Sequence, residues 1–146
     1  MTEKEFHLKE AKNCNNKTWS ILDKSQVGDE DRSVAIRLVN ASYHHWLAIG
    51  EPINQQRGEY MLAKVYNKFG MNDLASQHSK KCLKLTEEYG FKDFDLAFAY
   101  EIMYRTERNA GNEGSSNSYF DKATEAGKLI VDKEDRDIFF SELERE

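Results

Sequence analysis

Residues 58–85 read GEYMLAKVYNKFGMNDLASQHSKKCLKL, and how this stretch is read decides the fold. Leu62, Tyr66 and Phe69 recur every three or four residues, the stripe of one helix face. Gly70 interrupts the pattern, and Asn72 or Asp73 offers a cap for a second helix. On that second helix Leu74, Ala75, His78, Cys82 and Leu85 share a face, which predicts its buried side. The segment is therefore a helix, a tight turn and a helix. The pattern repeats outward. Gly28, Gly70 and Gly111 are spaced by 42 and 41 residues, and each separates two helical patterns. Gly50, Gly90 and Gly127 end the second helix of each pair. No alternating run reads as a strand, and a single proline, Pro52, suits the first turn of a helix. The expectation is all-α: helical hairpins over residues 3–50, 52–90 and 93–127, then a last helix over 132–145. A hairpin cannot bury its own apolar face, so a repeat of this length predicts a stack, with the last helix covering its open end.

The middle hairpin resembles a tetratricopeptide repeat. The family's large, small, aromatic, glycine and alanine positions fall on Leu62, Ala63, Tyr66, Gly70, Ala75 and Cys82. In the third hairpin Met103 and Gly111 fit, but Tyr104 stands at the small position and Glu107 at the aromatic one. The first hairpin matches only through its glycines. The period exceeds the usual length of about 34 residues and is closer to long-helix variants of the family. The resemblance implies a right-handed α-α superhelix whose first helices line a concave groove, and a role in binding proteins.

Composition narrows the function. A formal net charge of −5 over 146 residues argues against a dedicated nucleic-acid binder. No apolar run is long enough for a membrane span, and the charged start MTEKEFHLKEAK is not a secretory leader. Cys14 and Cys82 read as reduced thiols of a cytoplasmic protein. No phosphate loop, nucleophile elbow or HExxH pair occurs. Neither catalysis, nor a cofactor, nor a metal is expected. His78 and Cys82 are spaced as helical ligands but stand on the expected buried face without a second pair. GNEGSSNS, residues 111–118, reads as a flexible turn.

Helical spacing places Arg57, Tyr60, Met61, Lys64, Asn67 and Lys68 on one face of the third helix, opposite its core stripe. The matching face of the fifth helix carries Phe98, Glu101, Ile102, Arg105, Arg108 and Asn109; that of the first carries Asn15, Thr18, Trp19 and Leu22. Trp19, Arg57, Tyr60, Met61, Lys64, Asn67, Lys68, Ile102, Arg105 and Arg108 thus predict a basic, partly apolar groove for an acidic peptide or helix of a partner protein. The family's carboxylate clamp for chaperone tails is not carried over, because Thr18, Leu22 and Met61 stand at its positions. Two other readings compete. Phe6 and Trp19 on the first helix would let the end of the stack form a homodimer. Tyr43, His44, His45 and Trp46 would let a small-ligand receptor or enzyme form around SYHHWLAIG. Adjacent histidines on a helix point about 100° apart, so His45 is expected at the core edge and His44 in solvent.

Overall fold

A computed structural model describes residues 1–145. Among them the chain forms seven helices and no strand: α1 (Glu3–Leu22), α2 (Asp29–Ile49), α3 (Pro52–Lys68), α4 (Asn72–Tyr89), α5 (Asp93–Asn109), α6 (Glu113–Lys128) and α7 (Lys133–Leu143). Thr2 opens α1 with a reciprocal capping box to Glu5. Pro52 stands in the first turn of α3, where its missing N–H costs nothing. Gly50 and Gly90 cap α2 and α4 in the left-handed conformation, and Gly70 and Gly111 turn the chain with φ of +71° and +81°. Gly28 separates α1 from α2 as expected, whereas Gly127 does not end its helix. Gly28 has extended backbone before α2, and Gly127 lies inside α6. The turn read into residues 111–118 is shorter than expected, because α6 already begins at Glu113.

The hairpins α1–α2, α3–α4 and α5–α6 pack most extensively, and consecutive hairpins join through α2–α3 and α4–α5. Two layers result. The odd helices α1, α3 and α5 touch in series, whereas α2, α4 and α6 do not touch one another. The core runs between the layers through Ala35, Val39, Leu62, Val65, Ala75 and Cys82, and on to Ala99, Ile102 and Ala123. Small residues at the helix crossings let backbones approach, and each fully buried large side chain contributes about 1.5–3 kcal/mol.

Gly58 shows the tightness of the α2–α3 crossing. A Cβ there would meet Tyr43 Cδ1 at 2.5 Å. Gly58→Ala is expected to lower stability by about 1–3 kcal/mol, although alanine is the better helix former. Urea unfolding followed by circular dichroism measures this, and an unchanged midpoint would show that the crossing relaxes freely.

The last helix does more than the expected covering of the stack's end: α7 packs on α5 and α6, the last hairpin, and also reaches over the inner layer. Asp93 holds the turn. It takes a left-handed φ of +57°, its carboxylate accepts from the Phe94 N–H, and it also accepts from the Val131 N–H at 3.0 Å. Asp tolerates this conformation better than a branched residue would. Gly127 is the landing. A Cβ at Gly127 would lie 2.4 Å from the Phe139 ring, so only glycine lets α7 sit this close.

Candidate functional site

The inner faces of α1, α3 and α5 form a groove, and α7 crosses it. On one side of α7 is a cavity of about 550 Å³, and on the other a cavity of about 330 Å³. Glu142 of α7 stands in the wall of both.

The larger cavity is aromatic. Trp19, Trp46, Tyr60, Phe94 and Phe98 line it with Met61 and Ile138. Tyr60 packs edge-on against Phe98, with ring centroids 5.4 Å apart. At its rim Arg57 grips Asp95 through two hydrogen bonds of 3.0 and 3.1 Å. Gln56 donates to Thr86 and to the Asp95 carbonyl and ties α3 to α4 and α5.

The smaller cavity is basic. Its lining includes Lys64, Lys68, Arg105, Arg108 and Arg145, with Asn67 and Asn109 between them. These cations fall into two groups. Lys64 and Arg105 are each 6% exposed and lie inside an ion-pair network. Lys64 Nζ is 2.7 Å from Glu101 Oε1 and 2.6 Å from Glu142 Oε1, and Arg105 Nε is 3.2 Å from Glu101 Oε2. Glu101 is wholly buried and also accepts from the Tyr60 hydroxyl. Burial, then the Glu101 charge, pushes the Tyr60 phenol well above its ordinary value, so Tyr60 stays a donor. Arg105 further donates to the carbonyls of Glu142 and Arg145 at the C-terminal end of α7. Lys68 and Arg108 are exposed. Among the described residues neither forms an ion pair, and Arg108 leans on the Tyr104 ring and hydroxyl.

Of the ten residues assigned to the groove from sequence, nine line these two cavities. Ile102 does not; it is completely buried in the core. Tyr60, Met61, Lys64, Asn67 and Arg105 lie on the predicted face but are themselves buried there. Sequence reasoning missed Trp46, Phe94, Glu142 and Arg145. Glu142 belongs to α7 and Arg145 follows it, and their place in the groove depends on the Asp93-held turn.

Glu142 is the hinge of the site's electrostatics. Burial raises its pKa, but Lys64, Arg145 and Arg105 outweigh that and hold the carboxyl below its ordinary value. The docked form therefore binds fewer protons than the released one as pH falls. The contribution is fully present above the ordinary carboxylate value, about 4.3. It is lost as pH falls through the lowered one. Trp19 and Trp46, the chain's only tryptophans, share a cavity wall with Glu142 and report α7. Their emission is expected to stay constant down to about pH 4 and to shift red only below it. Glu142→Gln should remove that acid step; an unchanged step would assign it to another carboxylate.

The YHHW segment does not converge. Tyr43 donates to the buried Glu59 at 2.6 Å, which also holds His78 at 2.6 Å. His44 is exposed, and Trp46 faces the groove. His45 meets His7 of α1, with Nδ1 atoms 2.9 Å apart. Burial, then the charges of His7 and His44, lowers the His45 pKa. Among the described residues no group of three or more His, Cys, Asp or Glu side chains is arranged to hold a metal. No helix there is long and apolar enough to cross a membrane. In comparisons with protein-family models, curated proteins and solved structures, the chain matches none.

Proposed function

We propose that the chain is a tetratricopeptide-like stack of helical hairpins, a non-catalytic module that binds a peptide or helix of a partner protein in this groove. The backbones of α1, α3 and α5 approach one another in series while those of α2, α4 and α6 stay apart, a pattern that supports this reading. One observation carries the functional reading: an aromatic cavity of about 550 Å³ shares Glu142 as a wall with a basic cavity of about 330 Å³, in which Lys68 and Arg108 are exposed and have no carboxylate partner among the described residues. The aromatic cavity would take one large apolar anchor and supply most of the affinity. The free cations would speed encounter with an acidic chain and fix its direction. Lys64 and Arg105 are reassigned from partner contact to holding the groove together, since their charge is already matched.

The test is selection from a random peptide library on the intact chain, followed by NMR shift mapping of the selected peptides. Selected sequences should pair an aromatic or large aliphatic residue with acids, and shifts should centre on Trp19, Trp46, Lys68 and Arg108. Shifts confined to the outer helices α2, α4 and α6, or no enrichment at all, would overturn the proposal.

A further inference from the structure

The groove already holds one helix, and its chemistry describes the partner. We infer that α7 is the chain's own stand-in for the ligand, and that the partner is an acidic amphipathic helix which takes the place of α7. This rests on the reading of the groove as a binding site.

Three observations carry it. First, α7 has the features that the groove selects. It bears four carboxylates, Glu134, Asp135, Asp137 and Glu142, against two cations, Lys133 and Arg136. Phe139 and Glu142 lie one turn apart on the side of α7 that packs against the stack. Phe139 enters a slot between Gly127 and Phe98, and Glu142 meets Lys64. Second, α7 is held less firmly than the other helices. Its packing on α6 is sparser than that between any other two consecutive helices, and it spans only 11 residues. The turn before it leaves Leu129 and Val131 exposed. Much of its grip is polar: the Lys64 pair, the Arg105 bonds to its last carbonyls, and Arg145 reaching Asp23 and the Leu22 carbonyl of α1. Such a grip is one that a second acidic helix can reproduce bond for bond. Third, α7 leaves the groove's charge unfilled. Lys68 and Arg108 remain for a ligand carrying more acid than α7 does. With α7 gone, the two cavities that share Glu142 as a wall become one trough.

A tethered helix competes at a high effective concentration, so the intact chain binds a free copy weakly. The experiment uses a fluorescent peptide with the sequence of residues 133–145 and measures its anisotropy on three full-length chains: wild type, Phe139→Ala and Glu142→Lys. The first variant removes the ring that α7 seats on Gly127 and leaves that landing open for the peptide's own Phe139. The second sets a cation against Lys64. Both should keep the helicity of the wild type apart from α7. Both are expected to bind the peptide at least about tenfold more tightly than wild type. A peptide carrying Glu142→Lys should bind none of the chains. Equal affinity for all three chains would overturn the stand-in role and leave the groove as a binding site. Absence of binding to every chain would overturn both the stand-in role and the groove. The two variants perturb α7 by unrelated means, so misfolding of one leaves the other to decide.

Discussion

Glu101→Ala is expected to cost about 3–5 kcal/mol, among the largest losses any single substitution in this chain should cause. Glu101 is wholly buried and faces three groups at once: Lys64 Nζ at 2.7 Å, Arg105 Nε at 3.2 Å and the Tyr60 hydroxyl at 2.9 Å. Deleting it leaves two cations to share Glu142, with a phenol that has lost its acceptor. The cost comes from stranding buried charge rather than from the worth of any one contact. That distinction is itself measurable. The double variant Glu101→Met with Lys64→Met removes charge from both sides and should cost less than the sum of its single variants. Urea unfolding of the four chains closes the cycle. A Glu101→Ala loss below about 1 kcal/mol, in the range of exposed pairs, would show that water reaches the network.

Phe139→Ala should cost a similar amount, about 3–5 kcal/mol, for a different reason. Phe139 is completely buried, edge-on to Phe98 at 5.0 Å and beside Phe140 at 5.2 Å. Truncation leaves a void that Gly127, which has no side chain, cannot fill. The loss should be local: α7 comes away while α1 to α6 keep their helicity. Amide hydrogen exchange separates the two regions. Ile138 is the internal control, being 52% exposed at the mouth of the aromatic cavity. Ile138→Ala should change stability by no more than about 0.5 kcal/mol. Loss of protection across α3 and α5 in Phe139→Ala would mean that α7 is part of the central core rather than a helix laid upon it.

These two sites show where sequence reading reaches and where it stops. Helix positions were legible because they rest on local chemistry: periodic apolar stripes, Pro52 at a helix start, Gly50 and Gly90 at helix ends. The groove face was legible for the same reason, since three- and four-residue spacing puts Tyr60, Lys64 and Lys68 on one side of α3. What that face meets was not legible. Lys64 and Glu101 are 37 residues apart in sequence, and only the approach of α3 to α5 makes them a pair. Gly127 looked like a helix stop because glycine usually is one there. Its actual use, admitting the Phe139 ring, depends on a chain reversal held by Asp93, 38 residues before Val131. Ile102 was read as groove because it stands four residues after Phe98 and three before Arg105, but it lies at the edge of that face and turns into the core. His45 was placed at the core edge and His44 in solvent, as found; the His7 contact is a matter of how α1 lies on α2.

The account stands on the groove's two exposed cations, Lys68 and Arg108, being where a partner binds. The most direct measurement is the affinity of a selected acidic peptide for two charge-reversed chains. One carries Lys68→Glu and Arg108→Glu in the groove. The other carries Lys80→Glu and Lys81→Glu on the exposed side of α4, an equal change in net charge. The groove pair should weaken binding by about tenfold at low salt and less at high salt, while the α4 pair leaves it near the wild-type value. Equal losses on both chains would mean that net charge alone governs the interaction, and would contradict a binding site in the groove.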